Sequence, residues 1–154
     1  MARKIQLESF KIVGISVGTT NENGKASTDL GNLWQKFYSE NISSKILNKA
    51  DNDLYSLYTD YELDYTAGYT AILGHKVSSL DNIPEGLTGH EITGGSYLVF
   101  EAKGEKPMAV INTWKEIWDK DKELNRLYST DFEVYGDKSQ DDLNSVVDIY
   151  IAMK

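Results

Sequence analysis

From Ile5 to Val17 the apolar positions Phe10, Ile12, Val13, Ile15 and Val17 settle into a period of two, which predicts a strand. The Gly-, Asn- and Thr-rich stretch from Gly18 to Lys25 reads as a loop. Leu30, Leu33, Trp34, Phe37 and Tyr38 then recur at helical spacing, with Ser27 or Thr28 as the expected cap. Helical character fades through Asn41 to Asn48. Leu54 to Glu62 is aromatic and β-prone, and Tyr69 to Val77 is the strand expected to pair with it antiparallel. Asp81 to Gly86 is a turn-rich connector.

The same order then returns. A strand runs through Gly94, Gly95, Tyr97, Leu98, Val99 and Phe100 and ends at Gly104. Pro107 suits a first helical turn, where its missing N–H costs nothing. Val110, Ile111, Trp114, Ile117 and Trp118 make one helical face. Thr130 to Tyr135 and Val146 to Met153 close the chain as strands around a polar loop. The pattern predicts an α+β fold of duplicated β-α-β-β units, with an antiparallel sheet, both helices on one face and a cleft between the halves. One domain is expected over residues 1–154, its halves covering about 1–80 and about 88–154.

Composition narrows the chemistry. The chain has 154 residues, no cysteine and a formal charge of −8, with a pI near 4.7. No thiolate metal site, disulfide or cysteine nucleophile can form. Phosphate backbones repel such a chain, so direct nucleic-acid binding is not expected. Its start lacks the apolar run of a signal peptide, and no stretch approaches a membrane span, so a cytoplasmic protein is expected. His75 and His90 stand apart, without the clustered partners that zinc needs. Asp51 to Asp53 and Asp119 to Glu123 resemble calcium loops only faintly, since the required glycine is missing. No phosphate-binding glycine loop or serine elbow occurs. Metal, cofactor and catalytic residues are therefore all read as none.

Three stretches carry a resemblance. Leu54 to Val77 includes Ala67-Gly68-Tyr69; Ile83-Pro84-Glu85-Gly86-Leu87 precedes Ile92-Thr93-Gly94-Gly95-Ser96-Tyr97; and Asp131 to Tyr135 precedes Val147 to Ile151. In order and spacing they resemble the GyrI-like family, which includes the effector-binding domains of AraC-type and MerR-type multidrug regulators. The resemblance implies a pocket for lipophilic, often cationic, small molecules, with a glutamate at the bottom of an aromatic cleft. Glu133 is the matching position. The chain has no room for a helix-turn-helix domain, so it resembles the free-standing members.

On residues alone, Glu133 reads first as a solvated strand glutamate. The resemblance favours a carboxylate among aromatic walls, where an organic cation gains from pairing with it. The candidate ligand-binding set is Glu133, Tyr135, Tyr150, Trp114, Trp118, Tyr55 and Tyr97. Trp34 is a candidate mirror of the second helix's tryptophans. Core packing of the tryptophans and cross-strand pairing of the tyrosines are the competing roles. Tyr150 is expected to approach Glu133 and Tyr135, and Asp60 and Glu62 to mark the corresponding acids of the first half. The expected function is non-catalytic binding of lipophilic cations. The alternatives are hydrolysis of reactive cyclopropane-type natural products, as some family members imply, and a protein-interaction role such as gyrase binding.

Overall fold

Eight strands build one antiparallel sheet in the computed structural model, which describes residues 2–154; Met1, the first residue of the expected domain, lies outside them. In chain order the elements are β1 (Ala2–Leu7), β2 (Phe10–Thr20), α1 (Lys25–Ser39), α2 (Ile42–Lys45), β3 (Leu54–Thr59), β4 (Gly68–Val77), β5 (Thr88–Ile92), β6 (Gly95–Gly104), α3 (Met108–Asp119), β7 (Thr130–Tyr135) and β8 (Ser145–Ala152). Across the sheet they run β1-β6-β8-β7-β3-β4-β2-β5. That order is unchanged when β1–β4 are exchanged with β5–β8 and the sheet is read from its other edge. The duplication is therefore a pseudo-two-fold axis through the β3–β7 pair.

Each half carries one strand more than the sequence pattern suggests. The run from Ile5 to Val17 breaks at Glu8–Ser9, and its two parts join different halves. β1 pairs with β6, setting Ile5 against Tyr97, whereas β2 pairs with β4, setting Ile15 against Leu73. Likewise β5 pairs with β2 rather than continuing into β6. The halves thus exchange edge strands, and the two connections that carry the exchange touch. A Cβ on Gly94 would lie 2.8 Å from the Leu7 carbonyl oxygen and the Ser9 nitrogen, so only glycine fits there without a shift.

Both helical layers stand on one side of the sheet. Leu33 and Phe37 of α1 pack on Val13, Ile15, Ala71 and Leu73; Val110 and Ile117 of α3 pack on Phe100, Val147, Ile149 and Ile151. Burying each such side chain contributes about 1.5–3 kcal/mol. The other side has its own core of Ile12, Tyr55, Leu57, Ile72, Ile92, Tyr97 and Phe132. The central strands are consequently covered on both faces, which is why β3 reads as a nearly continuous apolar run rather than an alternating one. α1 begins at Lys25, two residues ahead of the expected caps. Asn23 (φ 54°) and Gly24 (φ 70°) turn the chain in through the left-handed region, leaving Ser27 and Thr28 inside the first turn. No helix is long and apolar enough to cross a membrane among the described residues.

Candidate functional site

Glu133 lies directly opposite Ser56 where β7 pairs with β3, at the centre of the sheet. Strand alternation turns Asp131, Glu133 and Tyr135 towards the helices and Phe132 and Val134 to the other side. The Glu133 side chain is 3% exposed. Three neutral groups donate to it. The Trp114 indole Nε1–H and the Tyr58 hydroxyl reach Oε2 at 2.6 and 3.0 Å, and the Tyr135 hydroxyl reaches Oε1 at 2.6 Å. No Lys, Arg or His lies within 4.0 Å of this carboxylate among the described residues.

This is an unusual way to hold a buried charge. Burial pushes the Glu133 carboxyl above its ordinary range, and the three donors pull against that without reversing it. The charge acts back on the tyrosines around it. Tyr58 and Tyr135 are pushed well up, first by burial and then by Glu133, and Tyr69 is pushed up to about 12 for the same two reasons. All three remain protonated donors at neutral pH. Asp131, two residues earlier on the same face and fully buried, is treated differently. Its Oδ2 accepts from Arg126 at 2.8 Å and from Tyr61 at 2.7 Å, and its Oδ1 accepts from the Ala152 amide. One buried acid has a resident cation, and the other has none.

The walls around Glu133 follow the pseudo-two-fold axis. Trp34 of α1 meets the Tyr135 ring edge-on at 5.0 Å, and Trp114 of α3 meets the Tyr58 ring edge-on at 5.5 Å. Tyr58 and Tyr135 both stand two residues after the central pair, Ser56 and Glu133. Tyr69 packs against Tyr58, Trp118 against Trp114, and Tyr65 stacks on Trp118. Tyr135 also joins two otherwise separate clusters, the one under α1 and the one under α3. The seam between halves is thus an aromatic layer with one acid, Glu133, at its base that no resident cation neutralises among the described residues. A hollow of about 500 Å³ borders this layer at Tyr69 and is lined by Glu22, Asp60 and Glu62, and another of about 410 Å³ lies across the sheet against Tyr55, Phe132 and Tyr150.

Of the residues expected at the site, the structure gathers Glu133, Tyr135 and Trp114 in direct contact, with Trp118 beside them. Three others lie on the opposite face. Tyr150 pairs in register with Phe132 and stacks on its ring at 4.5 Å, while Ile149 sits beside Glu133; the expected approach of Tyr150 to Glu133 does not occur. Tyr55 is separated from Tyr58 by an odd number of steps, so it points away, its hydroxyl on Asp51. Tyr97 is buried against Phe132 and donates to the Thr93 carbonyl. The expected counterparts of Glu133 are corrected too. Asp60 and Glu62 follow β3 at the exposed end of the strand, and Ser56 occupies the equivalent place. Tyr58, Tyr69 and Arg126 were not among the site residues the sequence suggested. Strand parity separates Tyr58 from Tyr55, but only the register of β3 on β7 says which of the two faces Glu133.

The chain belongs to the family described as Cass2, integron-associated effector binding protein, whose profile matches residues 5–153. It is 30% identical over 125 residues to YobU of Bacillus subtilis (strain 168), a protein named as a candidate transcriptional regulator, covering 79% of this chain and 78% of that one. An integron cassette protein from the mobile metagenome of Vibrio cholerae has a similar structure. Its TM-score is 0.79 at 33% identity, covering 99% of this chain and 95% of the other. SAV2435, solved bound to tetraphenylphosphonium, shares the fold with a TM-score of 0.83 at 21% identity, over 100% and 94% of the two chains. The GyrI-like resemblance read from the sequence holds.

Proposed function

We propose that this effector-binding protein is a non-catalytic binder of small lipophilic organic cations, which it takes between α1 and α3 with Glu133 as counter-charge. The observation that carries this reading is the buried Glu133 carboxylate, held by three neutral donors and by no cation among the described residues. Ion desolvation costs several kcal/mol, which neutral hydrogen bonds offset only in part. An arriving cation supplies what is missing. Trp34, Tyr58, Tyr69, Trp114, Trp118 and Tyr135 add apolar area and ring faces, each face contributing about 0.5–2 kcal/mol towards a desolvated cation.

Access requires the rings that cover Glu133 to move. α1 packs on the strands of its own half and α3 on those of the other. The Trp114 side chain can therefore swing out and release its hydrogen bond while both helices keep their strands. SAV2435, which shares this fold, was captured with a lipophilic cation, in keeping with the reading.

Titration with tetraphenylphosphonium, followed by tryptophan quenching, tests it. Glu133→Gln keeps size and shape and removes the charge. Loss of a buried charge partner costs about 2–5 kcal/mol, so affinity should fall by roughly thirtyfold or more. Unchanged affinity in this variant would refute the role given to Glu133.

A further inference from the structure

The number of buried charges in the seam is itself a specificity device. Three acids could in principle face a ligand from the helix side of the sheet or from α1. Asp131 is already neutralised by Arg126 at 2.8 Å, and Arg126 is held in place by Asp121 at 3.2 Å and by the Tyr128 ring. Asp29 sits at the half-exposed outer edge of α1 and accepts the Thr19 hydroxyl at 2.8 Å. Among the described residues, only Glu133 is both buried and without a cation.

The pseudo-symmetry shows where a second charge would have gone. The aromatic pairs repeat across the axis, Trp34 with Tyr135 and Trp114 with Tyr58. The acid does not repeat: the residue facing Glu133 across the β3–β7 pair is Ser56, also buried, whose hydroxyl points to Tyr58 Oη at 3.1 Å. We infer that the seam is built for one positive charge per ligand, with Ser56 setting that limit and Arg126 withholding Asp131, so that monocations are accepted and rigid dications rejected. This rests on the cation-binding reading above. Its physical basis is that a second buried positive charge would have no partner, and an unpaired buried ion costs more than any aromatic contact returns.

Two probes with one skeleton test the inference: N-methyl-4-phenylpyridinium carries one charge, and N,N′-dimethyl-4,4′-bipyridinium carries two at opposite ends. Affinities are measured by competition against a fluorescent lipophilic cation, at fixed ionic strength because the net charge of −8 attracts both probes. The wild-type protein should prefer the monocation by at least tenfold. Ser56→Asp, which adds an acid opposite Glu133, should shrink or reverse that ratio. Equal affinities in the wild-type protein would overturn the inference and leave the role of Glu133 standing; this arm needs no variant to fold. A folded Ser56→Asp protein with an unchanged ratio would overturn the assignment to Ser56. Failure of both probes and of the fluorescent cation to bind would count against the cation site itself.

Discussion

Glu133→Gln should leave the ligand-free protein within about 2 kcal/mol of the wild type's stability at neutral pH, although it sacrifices binding. The amide oxygen can occupy the Oε2 position and accept from Trp114 and Tyr58. The amide N–H₂ then donates to the Tyr135 hydroxyl, which can turn its own proton elsewhere. The displaced Tyr135 proton and the second amide N–H each lack the acceptor the carboxylate supplied, at about 1 kcal/mol apiece. Weakening three charge-assisted bonds costs roughly 1 kcal/mol each. Where Glu133 is ionised, removing a buried, unpaired ion returns several kcal/mol. The balance lies within about 2 kcal/mol of zero.

The sign with pH follows from the raised carboxyl of Glu133 in the folded protein. A raised value means that the folded state holds the proton more tightly than the unfolded one. The corresponding stability is fully present below the ordinary glutamate value of 4.5 and is lost as pH rises through the folded value. The wild type should therefore weaken relative to the variant from about pH 4.5 upwards, until Glu133 is fully ionised. Urea unfolding of both proteins at several pH values between 4 and 8 measures the difference directly. A variant that is less stable than wild type by more than about 2 kcal/mol at pH 7 would refute the reasoning. Glu133 would then be a structural hub, not a charge held at a cost for a ligand.

Trp114→Phe keeps a ring on α3 but removes the indole donor, so ionised Glu133 loses its 2.6 Å bond; the pH midpoint of cation binding, followed by fluorescence, should move upwards. Arg126→Met strands Asp131 in the core and should destabilise the fold by about 3–5 kcal/mol in chemical denaturation, with Asp131→Asn in the same chain restoring part of the loss. Gly94→Ala forces a methyl against the backbone of the Leu7–Ser9 crossing and should cost about 1–3 kcal/mol, read from the same denaturation curves.

Much of this was legible in the chain. The boundaries of β7 came directly from Thr130 to Tyr135, and the doubled element order predicted the paired helices and the seam. Local periodicity carries that information because it depends only on neighbouring residues. What escaped was non-local. Nothing near Glu8 and Ser9 announces that β1 and β2 belong to different halves, because an edge strand reads the same whichever sheet edge it joins. The two-sided burial of the central strands defeats the simple alternation argument: with Phe132 in one core, alternation alone puts Glu133 in solvent, whereas the family resemblance puts it among aromatic walls, and it is buried. Tyr150 was assigned to the wrong face for the same reason, since its side follows from register with Phe132. Ser56 carries no sequence signal; its meaning comes from standing opposite Glu133.

Glu133, proposed as the counter-charge of the bound cation, can be followed at its own carboxyl. Carbon-13 NMR of its side-chain carboxyl, assigned by loss of the signal in Glu133→Gln, reports its protonation directly. Titrated with acid in the free protein, the signal should show a midpoint above the ordinary glutamate value. Saturation with tetraphenylphosphonium should lower that midpoint, because the cation stabilises the ionised form. A midpoint unmoved in the saturated complex would contradict the account.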